Sequence, residues 1–165
     1  MGMYTALSLG VEFKKGTPGP VIRTIRQMMG QQIPFEAWPE GALFRCGRAQ
    51  WMLRCDSYYF DYQTHFSFEK DGISKSWYLS GVCNLKNYND EIELFLKWIL
   101  PHLETTGFIG WKMYEEDDEP TLLFRRWHEA LGCFALQELT SISTLYSDGF
   151  IAGQVDMREQ IRKLI

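Results

Sequence analysis

The stretch Tyr4-Thr5-Ala6-Leu7-Ser8-Leu9-Gly10-Val11-Glu12-Phe13-Lys14 decides the fold. Leu7, Leu9, Val11 and Phe13 share one parity, and Ser8, Gly10 and Glu12 share the other. Successive side chains of a strand point to opposite faces, so this pattern predicts a strand over 4–14 with one buried face. Such a face must be covered by apolar elements. The next segment supplies one. Thr17-Pro18 reads as an N-cap followed by proline at the first helical position. Val21, Ile22, Ile25, Met28 and Met29 form an apolar stripe, and Gly30 ends it. Residues 31–41, with Pro34, Pro39 and Gly41, read as a loop.

Three further strands are expected downstream. In 42–55, Phe44 and Cys46 lie on one parity and Ala49, Trp51, Leu53 and Cys55 on the other, which a bulge near Gly47 reconciles. In 58–69, Tyr58, Phe60, Tyr62, Phe66 and Phe68 fall on a core face, opposite Tyr59, Asp61, Gln63, His65, Ser67 and Glu69. Asp71-Gly72 is a hairpin turn into 75–86, whose apolar face is Trp77, Leu79, Cys83 and Leu85. Asn89 is read as the cap of a second helix, with Ile92, Phe95, Leu96, Ile99 and Leu103 as its stripe and Pro101 as its end. Residues 107–114 and 121–127 read as strands joined by Glu115-Glu116-Asp117-Asp118-Glu119-Pro120. Asp156-Met157-Arg158-Glu159 is a capping box that opens a short C-terminal helix.

The order predicts an α+β fold: a largely antiparallel sheet with two amphipathic helices on one face and a C-terminal extension ending in a short helix. Residues 1–165 form a single domain, with a core over about 3–127 and an extension over 128–165. The opposite sheet face is expected to be polar and to carry the site.

Composition narrows the function classes. The chain has 165 residues, 17 Lys and Arg against 21 Asp and Glu, and a net charge of −4. That balance argues against a nucleic-acid-binding module, which carries a basic face. No apolar run reaches membrane-spanning length. Met1 to Lys15 has no signal-peptide pattern, and Ala6 stands where a myristoylation motif needs Ser or Thr. Cys46, Cys55, Cys83 and Cys133 contain no C-x-x-C pair and are read as free thiols of a cytoplasmic protein. No P-loop, G-x-G-x-x-G or G-x-S-x-G is present, so neither a cofactor nor a metal is expected.

Several constellations are candidates for chemistry. Asp61 and His65 share a strand face four residues apart, about 13 Å along the strand, so each needs a partner from a neighbouring strand. Arg125-Arg126-Trp127-His128-Glu129 offers guanidinium groups for an anion and a stacking ring beside them. Position 132 is glycine, so His128-Glu129 does not open an H-E-x-x-H zinc motif. Arg45, Arg48 and Arg54 accompany Trp51, and Arg48 and Arg54 are expected to share a polar strand face with Gln50 and Met52. His102, close to a helix end, reads as a favourable C-terminal charge. The five acids 115–119 read as a solvated hairpin tip.

The outstanding number is the aromatic content: 11 Phe, 8 Tyr and 6 Trp. Tyr58, Phe60, Tyr62, Phe66, Phe68, Trp77, Phe95 and Phe108 sit at core periodicity. Trp38, Trp51, Tyr59, Tyr78, Tyr88, Trp111, Tyr114 and Trp127 are harder to bury together and suit an interface or a pocket.

The segments Trp51–Tyr62, Trp77–Ser80, Cys83–Ile92 and Tyr114–Thr121 resemble small uncharacterised proteins encoded by bacterial phages and mobile elements. The likeness spans roughly residues 3–127 and carries no catalytic motif. It implies an accessory protein in the bacterial host cytoplasm. The expected function is a non-catalytic binding protein that antagonises a host defence component. Its partner would be a host protein or a small nucleotide-like ligand, with Arg48, Trp51, Arg54, Trp111, Arg125, Arg126 and Trp127 as binding residues. One alternative is a small hydrolase or phosphodiesterase using His65 or His128 with Asp61 or Glu129. Another is a homo-oligomeric structural protein, and a homodimer is compatible with the binding reading too.

Overall fold

In the computed structural model, which describes residues 3–34, 37–60 and 63–140, the alternating stretch forms strand β1 (Thr5–Phe13). Leu7, Leu9, Val11 and Phe13 are all buried, as their parity requires. The remaining strands are β2 (His65–Lys70), β3 (Trp77–Leu85), β4 (Gly107–Tyr114), β5 (Thr121–His128) and β6 (Cys133–Leu139). They form one sheet in the order β2-β3-β1-β4-β5-β6, with every neighbouring pair antiparallel. The fold is α+β, and β1 lies in the interior of the sheet.

Helix α1 (Gly19–Met28) buries Val21, Ile22, Ile25 and Met28. The short α2 (Ala42–Arg45) buries Leu43 and Phe44. Helix α3 (Glu91–Ile99) buries Ile92, Phe95, Leu96 and Ile99 against the same core as the β1 side chains. Each of these large apolar groups contributes roughly 1.5–3 kcal/mol by leaving water. Leu9 lies between two glycines, Gly81 on β3 and Gly110 on β4. Their φ values of 148° and 152° disfavour any residue with a side chain, and a Cβ would overlap the carbonyl oxygens of His65 and Ser8.

Several local expectations are corrected. Residues 42–55 are helical: α2 is followed by a 3-10 helix over Gly47–Arg54. Ala49, Met52 and Leu53 are its buried residues, at a spacing of three and four. That periodicity removes the need for a bulge, buries Met52 and turns Trp51 outward. The strand expected over 58–69 begins only at His65. Before it, the Asp56 carboxylate accepts hydrogen bonds from the Ser57 and Thr64 amides, which closes a loop. Tyr58 therefore leaves the core and is 84% exposed; Phe108 is also exposed.

The caps differ as well. The N-cap of α1 is Pro18, and the Thr17 hydroxyl donates to the Lys14 carbonyl. Asp90 is the N-cap of α3, while Asn87 Oδ1 accepts from the Ile92 amide at 2.9 Å. Pro101 lies in a 3-10 turn, Leu100–His102, that ends this helix. Burial and the nearby Lys14 lower the His102 pKa, so its position disfavours the charge expected there. Strand β6 was not anticipated and carries the sheet past residue 127. The expected helix from Asp156 lies outside the described residues.

The sheet face away from the helices is mixed rather than polar. Ser8 on β1, Trp111 on β4 and Leu122 on β5 are cross-strand neighbours, and Leu139 on β6 continues the row. Phe124 meets Phe108 edge-on, with centroids 5.6 Å apart. Among the described residues no helix is long and apolar enough to cross a membrane.

Candidate interaction surface

The anticipated binding residues do not converge. Trp51 and Arg54 sit on the 3-10 helix, with the Arg54 guanidinium 3.8 Å from the centre of the Trp51 ring. Trp111 lies within β4, on the face away from the helices. Arg126 stacks its guanidinium 5.0 Å from the Phe124 ring. Trp127 is 56% exposed and meets Phe134 edge-on. Arg125 is only 2% exposed. Its Nε donates to the Leu100 carbonyl at 3.2 Å and its Nη1 to the Thr105 carbonyl at 3.0 Å, while Phe134 covers the guanidinium. This arginine ties β5 to the turn that follows α3, where it is a second donor to the Leu100 carbonyl beside the Leu103 amide at 3.3 Å.

The anticipated catalytic groups are dispersed too. His65 opens β2 and His128 closes β5, with β3, β1 and β4 between the two strands. At about 4.8 Å per strand, that separation spans roughly 19 Å. Glu129 follows His128 in an exposed 3-10 turn, and Asp61 lies outside the described residues. Among the described residues, no three His, Cys, Asp or Glu side chains cluster closely enough to hold a metal ion. The four cysteines are free thiols. A shallow groove of about 250 Å³ between α2 and α3 is walled by Leu43, Phe44, Leu94 and Trp98 and contains none of the anticipated residues.

The structure instead gathers tyrosines at one end of the sheet. Tyr4 precedes β1, Lys86 follows β3, and Tyr114 ends β4; the Thr5 register with Leu85 and Tyr114 aligns these three positions. The ladder runs one step further, since the Glu115 amide donates to the Tyr4 carbonyl at 3.0 Å. The loop closed by Asp56 delivers two more rings. Tyr59 meets Tyr4 with centroids 5.5 Å apart and stacks on Tyr58 at 4.4 Å.

Two cations serve this end from within. Lys86 Nζ lies 5.2 Å from the Tyr4 ring centre. Arg48 lies 5.1 Å from the Tyr88 ring centre, donates to the Lys86 carbonyl at 2.8 Å and approaches the buried Glu91 at 3.8 Å. Glu91 also accepts from the Asn89 amide at 2.9 Å. Arg48 is thus held between a carbonyl, a carboxylate and a ring, rather than lying on a strand face with Arg54.

Negative charge borders the tyrosines. A hydrogen bond with Tyr58, then lost hydration and the charge of Glu115, push the Tyr59 phenol up to about 12. Lost hydration, with Glu116, Glu115 and Asp117 nearby, also raises Tyr114. Glu115 Oε2 is buried and accepts no hydrogen bond within the described structure. Tyr58 and Tyr88 are 84% and 51% exposed, so large aromatic surface faces water here. Sequence reasoning marked Tyr59, Tyr88 and Tyr114 as hard to bury, but it missed Tyr4 and assigned Tyr58 to the core.

Comparisons with protein-family profiles, with curated proteins and with solved structures find no match for this chain.

Proposed function

We propose that this chain is a non-catalytic protein-binding module whose docking surface is the tyrosine-rich end of the sheet. One observation carries the reading: Tyr58 stands 84% exposed and stacks on Tyr59. Tyrosine gives a rigid, amphipathic contact area at low entropic cost, which is why it anchors protein interfaces. Tyr58, Tyr59 and Tyr4 already contact one another ring to ring, which reduces the ordering that binding requires.

A nucleotide-like ligand is supported less well. Such a ligand needs several guanidinium groups around one concavity. Here Arg48 and Arg125 are committed to backbone carbonyls, and Arg54 and Arg126 stack on separate rings. A histidine mechanism is supported less well too, given the three strands between β2 and β5. The phage resemblance makes a host defence protein the expected partner.

The test is capture from bacterial lysate by the immobilised full chain, beside the Tyr58→Ala/Tyr59→Ala variant with unchanged circular dichroism. A stoichiometric protein retained by the first and lost from the second supports the reading. Equal retention by both, or no protein across several hosts, overturns it.

A further inference from the structure

We propose that the tyrosine-rich end binds an arginine-bearing segment of its partner, the guanidinium stacking on the Tyr58–Tyr59 pair and donating to Glu115. The inference rests on the protein-binding reading above and specifies the chemistry of the occupant.

Three observations converge on a cation. The first is the supply of rings. Tyr4 and Tyr88 each already have a cation of this chain nearby, Lys86 and Arg48. Among the described residues no cation lies over Tyr58 or Tyr59, although Tyr58 is the most exposed tyrosine of the group. The electron-rich face of a tyrosine attracts cations, and the fold uses that attraction twice within the same patch.

The second is a carboxylate without an ion pair. Glu115 is partly exposed, forms no ion pair among the described residues, and is close enough for its charge to act on the Tyr59 phenol. A partly desolvated carboxylate gains from a cation that reaches its accessible side. The third is the surrounding field. Glu115 opens the run Glu115-Glu116-Asp117-Asp118-Glu119 at the β4–β5 hairpin, and the whole chain carries −4. This border attracts a basic segment and repels nucleic acid or an acidic peptide.

Arginine fits better than lysine. Its guanidinium is planar and weakly hydrated, so it can stack on a ring while its forked N–H groups bond a carboxylate in the same plane. A lysine ammonium would have to surrender tightly held water to do either.

The probe is a fluorescein-labelled peptide with alternating glycine and arginine, compared with lysine and citrulline versions by fluorescence anisotropy on the full chain. Citrulline keeps the shape of arginine without its charge. The arginine peptide is expected to bind about tenfold more tightly than the citrulline peptide, with the lysine peptide between them. Tyr58→Ala and Glu115→Gln should each weaken the arginine peptide about five- to tenfold. Glu119→Gln, an exposed acid further along the hairpin, should leave it within about twofold. Equal binding of the arginine and citrulline peptides overturns the inference. So does an equal loss in Glu115→Gln and Glu119→Gln, which would mean diffuse attraction to the hairpin. If lysate capture depends on Tyr58 but not on Glu115, the protein-binding reading stands and the arginine inference fails.

Discussion

Tyr58 and Tyr59 are sequence neighbours whose rings stack, with centroids 4.4 Å apart and planes 27° from parallel. Adjacent residues of a strand point to opposite faces, so this contact requires a turn. The turn is supplied by Asp56, and the result is an exposed aromatic step at the end of the sheet. The same pair couples two phenols. Removing the Tyr58 hydroxyl in Tyr58→Phe should lower the Tyr59 pKa from about 12 toward the ordinary 10.0. Carbon NMR of the tyrosine ring carbons against pH checks this. A Tyr59 titration unchanged by the substitution would contradict the part assigned to Tyr58 in raising it.

Arg125 is expected to act on stability rather than on binding. Arg125→Ala takes the arginine donor from the Thr105 carbonyl, leaves the Leu100 carbonyl with the Leu103 amide alone, and uncovers one face of Phe134. The expected loss is roughly 2–4 kcal/mol in urea unfolding. Arg125→Lys should recover only part of it, since one ammonium cannot reproduce the fork. Partner capture by whatever remains folded should be unchanged.

The Lys112 ammonium lies 2.6 Å from Glu93 and 2.9 Å from Glu138, joining β4 to α3 and β6. Burial raises the Glu93 pKa, but hydrogen bonds from Asn87 and Lys112 outweigh it and hold the carboxyl below its ordinary 4.5. Its stabilising contribution is present above 4.5 and is lost as pH falls through the lowered value. Burial lowers Lys112, but Glu93 and Glu138 outweigh it and hold the ammonium above its ordinary 10.5. Its contribution is present below 10.5 and is lost as pH rises through the raised value. Urea midpoints should therefore fall at both pH extremes, and Lys112→Met should flatten both declines. Parallel pH profiles for wild type and variant would contradict this.

Glycine substitutions should separate sharply along β1 and its neighbours. Gly81→Ala and Gly110→Ala force a Cβ onto a backbone carbonyl at a positive φ, with an expected cost on the order of 2–4 kcal/mol. Gly10→Ala meets open space and should change stability by no more than about 1 kcal/mol. Thermal unfolding of the three variants checks the contrast.

The fold was legible wherever one periodicity dominated. The alternation of Leu7 to Phe13 and the stripe of Ile92, Phe95, Leu96 and Ile99 each translate into one buried face. Residues 42–55 misled because Ala49, Leu53 and Cys55 share a parity and two of the three also fit a helical spacing with Met52. The need for a bulge was the sign of the wrong period. The Tyr58 to Phe68 alternation misled because Asp56 turns the chain through side-chain hydrogen bonds that periodicity does not register.

The candidate surface was legible only in fragments. Tyr59, Tyr88 and Tyr114 stood out as surplus, and Arg48 is the one anticipated binding residue that lies among them. Tyr4, Lys86 and Glu115 become neighbours through the pairing of β1 with β3 and β4. That pairing is long-range, and no local pattern around any of the three residues announces it.

The most direct test of the central claim is the Kd of the captured protein partner for wild type and for Tyr58→Ala, measured side by side with unfolding midpoints. Tyr58 is 84% exposed, so the substitution should leave the midpoint unchanged while weakening binding at least tenfold, about 1.4 kcal/mol or more. An unchanged Kd would contradict the account and move the docking surface elsewhere on the molecule.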